Sequence, residues 1–186
     1  KMGYRGSQTA EIFFDNCKVP EENMIGNEGT GHITIMNGLD FEMAMIATIC
    51  LGISQRALEI SIEYAKIREQ FGKPISSFQM IQSKIADMYT WVEAIKSMVY
   101  SVLSECDNID KKLAGKGKIH INTSASVMFA STTSNKVLNE AVQIHGGMGY
   151  MWESEINRLY RSIKLLDIRA GTTEIRKKII AEGLLH

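Results

Sequence analysis

One run of apolar residues constrains this chain more than any other feature. Ile81, Ile85, Met88, Val92, Ile95, Val99, Val102 and Cys106 recur in steps of four and three without a break. That spacing lays one side of a long α-helix against a core. A helix of that length needs partners of similar length, and the chain supplies them. From His32 onward Ile46, Cys50, Ile53, Ala57, Ile60, Tyr64 and Ile67 keep the same steps, and Gly72-Lys73-Pro74 then stops the helix. Ser77 is placed to cap the helix that carries the first run. A third helix is predicted from about Ile121 to Ile144, with Ile121, Ala125, Met128 and Phe129 on one side and Gly146-Gly147-Met148-Gly149 at its end. A shorter helix is predicted over Glu155–Leu166, and a last one after Gly171-Thr172-Thr173, where a threonine can cap it. The polar stretch from Asp107 to Lys118 reads as a helix–helix connection, and its lysines as a solvated turn. Thr9 to Phe14 partly alternates and ends in the turn signal Asp15-Asn16, so it reads as a strand; extended Val19-Pro20 and a glycine-containing loop to Gly31 follow. A single strand has no partner in this chain and must pair elsewhere or lie on the helices as an arm. The predicted fold class is all-α: an antiparallel four-helix-type bundle with a short N-terminal strand or extended arm. A bundle by itself specifies no function.

Composition excludes several function classes. Lys and Arg number 21 and Asp and Glu number 21, so the formal charge is zero. That argues against a nucleic-acid binder and against electrostatic docking on a membrane surface. No apolar run approaches the roughly 18 residues of a membrane span, so none is expected. The three cysteines, Cys17, Cys50 and Cys106, lack metal-ligand spacing and read as free thiols in a reducing compartment. His32, His120, His145 and His186 are scattered, so neither a metal site nor Ser-His-Asp or Cys-His catalysis is supported. No targeting segment is visible. The chain opens on Lys1 in what reads as the middle of something, so a fragment of a longer protein is expected.

Four constellations could carry chemistry, and each has a plain structural alternative. Arg68-Glu69-Gln70-Phe71-Gly72-Lys73-Pro74 with Phe78-Gln79 offers an arginine for phosphate and an aromatic ring for a heteroaromatic ligand; it also reads as a basic helix end with a glycine stop. Gln143-Ile144-His145-Gly146-Gly147-Met148-Gly149-Tyr150 lets backbone approach a ligand closely, or is a glycine-rich helix end. It is neither a Walker loop nor a dinucleotide-binding fingerprint. Ala170-Gly171-Thr172-Thr173-Glu174-Ile175-Arg176 offers N–H groups and hydroxyls at a helix start, or is an ordinary N-cap with Glu174 in its first turn. Gly38-Leu39-Asp40-Phe41-Glu42-Met43 sets a carboxylate among Leu39, Phe41, Met43 and Met45, a dry setting that suits a proton-abstracting group; alternatively Glu42 faces water.

The order of these pieces carries more than any one of them. Lys1-Met2-Gly3-Tyr4-Arg5-Gly6-Ser7, TAEIFFDNCKVP, REQFGKPISSFQ, QIHGGMGY and AGTTEIRK resemble the acyl-CoA dehydrogenase family over essentially the whole chain. GLDFE and REQFGKPISSFQMIQSKIADMYT resemble its isovaleryl-CoA dehydrogenase branch most. The resemblance implies that residues 1–28 are the end of a middle β-domain with its linker, and 29–186 a C-terminal helical domain. It implies FAD as cofactor and oxidation of an acyl-CoA thioester to the trans-2-enoyl form, by α-proton abstraction and β-hydride transfer to the flavin. A short or branched acyl chain is expected. Most members carry the base just before the Gly-Thr of the last motif, where this chain has Ala170; a minority carry a glutamate on the first bundle helix, where this chain has Glu42. The resemblance therefore implies Glu42 as the catalytic base. It implies FAD contacts from Arg68, Phe71, Gln79, Gln143, Ile144, His145, Gly146, Gly147, Thr172, Thr173 and Glu174, partly across a dimer interface. Substrate contacts are implied for Asp40, Phe41, Met43, Ala170 and Gly171, the Ala170 N–H facing the thioester carbonyl.

Two positions depart from the isovaleryl pattern: Met43 stands in place of an arginine, and Arg169 in place of a glycine. Further implications are a homotetramer built as a dimer of dimers, an electron-transfer flavoprotein as acceptor, and a mitochondrial-matrix location in a eukaryote or a cytoplasmic one in a bacterium. A non-catalytic relative serving as scaffold, and a generic helical interaction module, remain the alternatives.

Overall fold

The computed structural model describes residues 1–107 and 116–185; most of the predicted connection between Asp107 and Lys118, with its lysine-rich turn, lies outside the described residues. Helix α1 spans Gly31–Ile67, α2 Gln79–Cys106, α3 Gly117–His145, α4 Gly147–Tyr150, α5 Glu155–Leu166 and α6 Thr173–Leu185. The predicted all-α bundle is present, and α5 has the predicted bounds. Between α1 and α2 lies an element the sequence did not announce, a small hairpin of β1 (Glu69–Gln70) and β2 (Lys73–Pro74). Its turn residues Phe71 and Gly72 both have positive φ, 54° and 78°, the type I′ geometry that matches strand twist. Ser77 does not cap α2; its hydroxyl donates to the Pro74 carbonyl at 2.7 Å within the preceding turn.

Side-chain pairings give the helix directions. Asp40 meets His120, Met43 meets Ser124, Ser54 meets Ser134, and the Tyr64 ring stacks on His145. The numbers rise together, so α1 and α3 run parallel. Asn122 donates to Glu105 and Lys84 pairs with Glu140, so α2 runs against α3. The fourth position is shared by two helices. Helix α5 starts where Arg56 of α1 pairs with Glu155 and ends where Asp167 accepts from Ser131. Helix α6 continues the same descent, with Arg176 beside Ser131 and Gly183 against Ile121. The bundle is thus up-down-up-down, its fourth helix broken over residues 167–172.

Helix α3 sits at the centre, and its buried face corrects the sequence reading. Thr123, Ser124, Ser126, Val127, Ala130, Ser131, Ser134, Val137, Leu138 and Ala141 point inward. Ile121, Ala125 and Met128 are only half-buried, and Phe129 is exposed. A helix flanked by α1, α2, α5 and α6 must be slim, so small residues take the inner face. Some of their hydroxyls are paired inside: Ser54 donates to the Ser134 hydroxyl at 2.7 Å, and Ser134 to the Cys50 carbonyl at 3.2 Å, while the buried Ser126 hydroxyl has no partner among the described residues. Burial pushes the neighbouring Cys50 thiol up to about 12. All three cysteines are free.

Two further expectations need correction. Thr9–Phe14 forms no strand; it is exposed and has no ladder to join. Before it, residues 1–7 dock on α5: Arg161 donates to the Met2 carbonyl at 2.7 Å, and a Cβ at Gly3 would sit 2.4 Å from the Arg161 carbonyl. Second, α1 is 37 residues long with an 18-residue window of mean hydropathy 1.3, enough by length and composition alone to cross a membrane. Its inner face, with Ile46, Ala47, Cys50, Leu51 and Ala57, is bundle core, while Phe41, Met45 and Ile49 on its outer side are exposed.

Candidate functional site

The break between α5 and α6 brings chemistry to α1. Arg169 donates from Nη2 to Oε1 of Glu42 at 3.2 Å. Both side chains are partly exposed, so the Glu42 carboxylate rests in an ion pair at the bundle surface and not in the dry apolar setting that its sequence neighbours suggested. Ala170 and Gly171 follow with φ of 53° and 92°. Two consecutive left-handed residues turn the chain sharply, and the alanine is strained there. The strain is held from below by Arg176, which is fully buried. Its Nη2 donates to the Arg169 carbonyl at 2.6 Å and to the Leu166 carbonyl at 3.2 Å. Desolvation pulls the Arg176 guanidinium below its usual range, against the attraction of Asp167. At Asp167, burial pushes the carboxyl up, but bonds from Lys164, Thr173 and Ser131 together hold it below the usual carboxylate range.

Thr172 and Thr173 start α6. The Thr172 hydroxyl accepts from the Ile175 N–H at 3.5 Å, a long cap, and Thr173 donates to Asp167 at 3.0 Å. Glu174 is exposed; its own backbone N–H, then Thr172, hold its carboxyl below the ordinary value. Phe41 is exposed on α1 near Glu42. Asp40 and Met43, expected at the substrate, turn inward instead. Asp40 lies 2.6 Å from His120 Nδ1 and accepts from Thr123 at 3.4 Å. Met43 is buried, its sulfur accepting from Ser124. The helical angle explains this: two residues along a helix point nearly opposite ways, so Asp40 and Glu42 cannot share a face.

The remaining expected residues gather at the hairpin end of the bundle. Arg68 closes α1, Phe71 is 91% exposed on the hairpin tip, and Gln79 starts α2 in solvent. Beside them Gln143, Gly146 and Gly147 are exposed at the end of α3. Gly146 has φ 56° and ψ −134°, a conformation kept for glycine. Gly149 is small for another reason: a Cβ there would lie 2.7 Å from the Val142 carbonyl. Ile144 is buried, so only its backbone is available to a ligand. A cleft of about 610 Å³ runs between Arg68, Gln70, Ile75, Ile81, Gly146 and Gly147. His145 forms its inner wall, stacked on Tyr64 at 4.4 Å, with Nδ1–H donating to the Ala141 carbonyl at 2.8 Å. Its Nε2 is buried with no partner among the described residues. Burial lowers the His145 pKa, so the ring is a neutral imidazole.

Glu42 and Arg68 are 26 positions apart, on and at the end of one continuous helix, which is about 39 Å at 1.5 Å per residue. Thr173 donates to Asp167, which also accepts from Ser131 midway along α3, so the residues expected around the cofactor form two groups, one at this mid-bundle break and one at the hairpin end. The two arginines and Asp167 at the break were not singled out for a role by the sequence. Arg176 had one legible signal, a charged residue in a helix that must dock an inner face. Among the described residues, no group of three His, Cys, Asp or Glu gathers to hold a metal.

Known proteins share both sequence and shape with this chain. Residues 29–185 match the family described as acyl-CoA dehydrogenase, C-terminal domain. Mitochondrial isovaleryl-CoA dehydrogenase of rice is 44% identical over 185 residues, which cover 99% of this chain and 43% of the rice protein. Butyryl-CoA dehydrogenase of Megasphaera elsdenii superposes with a TM-score of 0.89 at 39% identity, over 100% of this chain and 47% of that one. An acyl-CoA dehydrogenase of Bacillus anthracis in complex with FAD superposes with a TM-score of 0.90 at 34% identity, over 100% of this chain and 34% of that one. The chain thus spans less than half the length of each.

Proposed function

We propose a function on the premise that this chain belongs to the acyl-CoA dehydrogenase family: it is the C-terminal part of a flavoenzyme that oxidises a short or branched acyl-CoA to its trans-2-enoyl thioester. Residues 1–28 would be the tail of a preceding β-domain, and 29–186 the helical domain. The observation that carries the reading is the meeting of Glu42 with the α5–α6 break. At the break Ala170 has no side chain able to take a proton, and Glu42 is the carboxylate that reaches it across the bundle. An α C–H is a weak acid, so it needs a positioned base and a polarised carbonyl. Glu42 would take the α-proton, and the Ala170 N–H, set by the left-handed turn, would donate to the thioester oxygen.

The residues present fit FAD. At the break are Thr172, Thr173 and Gly171 beside the base. At the hairpin end are a guanidinium, an exposed aromatic ring, open glycine backbone and the unpartnered His145 Nε2, a set suited to a phosphate and a heteroaromatic ring. Bound FAD would accept the β-hydride. The two groups stand apart, one beside Ser131 midway along α3 and one past its end at Gly146, and each would serve a different cofactor, completed by other domains and by a second subunit. That supports a dimer-based assembly, a homotetramer by family likeness, with an electron-transfer flavoprotein as acceptor. The rice relative is mitochondrial by name; a mitochondrial-matrix location is proposed for a eukaryotic source and a cytoplasmic one for a bacterial source. The test is anaerobic flavin reduction in the full-length Glu42→Gln enzyme. Retention of FAD with loss of reduction supports the reading, and reduction at the wild-type rate sinks it.

A further inference from the structure

The ion pair at the break raises a chemical problem for a base. If Glu42 takes a proton, its charge disappears and the Arg169 guanidinium loses its counterion. Among the described residues, Glu42 is the one acidic group that Arg169 pairs with, through a single Nη2–Oε1 contact of 3.2 Å. The Arg169 side chain is half-exposed, while its backbone is fixed. Its N–H donates to the Leu165 carbonyl at 2.8 Å, and its own carbonyl accepts from buried Arg176 at 2.6 Å. The guanidinium is thus anchored within one side-chain length of the base. Once other domains close over the site and exclude water, an unpaired cation there is costly. Discharging Glu42 alone would leave that cost standing in the transition state.

We infer that the acyl chain supplies the missing anion: Arg169 selects short acyl-CoA thioesters that end in a carboxylate. This deepens the proposed function and rests on Glu42 being the base. A carboxylate on the substrate can take the guanidinium fork through two parallel bonds, a stronger pairing than the single contact to Glu42. The exchange frees the Glu42 oxygen for the α-proton and leaves every charge paired when the proton has moved. Atoms and electrons balance as in the parent reaction. The α-proton goes to Glu42, the β-hydrogen leaves as hydride to FAD, a C=C bond forms, and the distal carboxylate is unchanged. Chain length follows from geometry. Arg169 touches Glu42 directly, so the anion must lie within a few bonds of the α-carbon. Four to five acyl carbons satisfy that. A neutral alkyl chain of the same length would run beside an unsatisfied cation.

The probes are glutaryl-CoA and valeryl-CoA, matched at five acyl carbons and differing in the terminal carboxylate, assayed on the full-length flavin-loaded enzyme. Wild type should show at least about 10-fold higher kcat/KM for glutaryl-CoA, because a bidentate charge-assisted pair is worth more than one such bond. Calorimetric titration should show glutaryl-CoA binding more tightly, by a margin that shrinks with salt. Arg169→Gly should reverse the preference, and Arg169→Lys should keep part of it through charge without the fork. Wild-type preference for valeryl-CoA, or an Arg169→Gly enzyme whose two substrates change by the same factor, overturns the inference. An Arg169→Gly protein that fails to hold FAD transfers the decision to the binding titration on wild type and Arg169→Lys; equal affinity for both thioesters in both proteins then overturns it. Glu42→Gln separates the two levels. Loss of flavin reduction with a valeryl-CoA preference in wild type rejects the acidic substrate and keeps the base. Unimpaired reduction in Glu42→Gln rejects the base itself.

Discussion

The α5–α6 break and the hairpin end of the bundle solve opposite problems. At the α5–α6 break a strained turn is held by the chain's own interior: Arg176 is buried beneath it and clamps the Leu166 and Arg169 carbonyls. At the hairpin end the strained residue has no such support. Phe71 sits at φ 54° with its ring 91% exposed, and only the Phe78 ring approaches it, edge-on at 6.1 Å. A non-glycine residue in that region costs about 1–3 kcal/mol, and only the short Glu69–Pro74 ladder, closed by the Ile75 N–H to Arg68 carbonyl bond, holds it among the described residues. The break is organised before any ligand arrives. The hairpin tip instead stands exposed in this chain. The contrast suggests that chemistry is set internally and cofactor retention is completed by assembly.

The largest expected effect tests the first half of that contrast. Glu42→Gln keeps the shape of the side chain and cannot take a proton, so flavin reduction in the full-length enzyme should fall by about 10²–10⁴-fold, with FAD content and thioester binding retained. Stopped-flow absorbance under anaerobic conditions reads it. Glu174→Gln, by comparison, should loosen flavin more than it slows reduction.

Next comes the clamp. Arg176→Ala removes charge-assisted bonds to one buried and one partly buried carbonyl, each worth about 1.5–3 kcal/mol, so unfolding free energy in urea should drop by about 3 kcal/mol. Arg176→Met, which keeps bulk but donates nothing, should recover only the packing share. A loss under about 0.5 kcal/mol for both would mean that the break holds itself.

A smaller effect has opposite signs in two measurements. Phe71→Asn places a residue tolerant of the left-handed region in a type I′ turn. It should stabilise the protein by about 1 kcal/mol while reducing the FAD retained through gel filtration. If retention is unchanged, the exposed ring is not a cofactor contact and the comparison between the break and the hairpin collapses.

The smallest effect is in pH. Burial holds the His145 pKa below its ordinary 6.5, so the unfolded chain binds a proton more readily than the folded one. Stability from this group is full above pH 6.5 and is lost as pH falls from there through the depressed folded value. Urea unfolding at pH 7.5 and 5.5 should show that decline in wild type and a weaker one in His145→Gln.

Much of the fold was legible because long helices repeat their signal many times. The α2 stripe from Ile81 to Cys106 matches the buried face: Met88, Val92, Ile95, Val99, Val102 and Cys106 are all core. Extending the α1 stripe back three residues from Ile46 gives Met43, so its burial was readable, as was the divergence of Asp40 from Glu42. The inner face of α3 was not. Serine, threonine and alanine carry little hydropathy contrast, and only a crowded centre makes them the buried choice. The hairpin was missed because four strand residues hold no periodicity.

From the sequence alone came five helical spans, the family, the candidate base and the empty carboxylate position at Ala170, all carried by local spacing or ordered motifs. Tertiary structure decided what spacing cannot encode. It broke the fourth helix beside Ser131, placed Arg176 beneath the break and Arg169 against the base, and put the expected cofactor residues in two separate places on the bundle. The physical reason is distance. A helix repeats every few residues, so its faces can be read locally, whereas pairings such as Glu42 with Arg169 join positions 127 residues apart and exist only once the helices have packed.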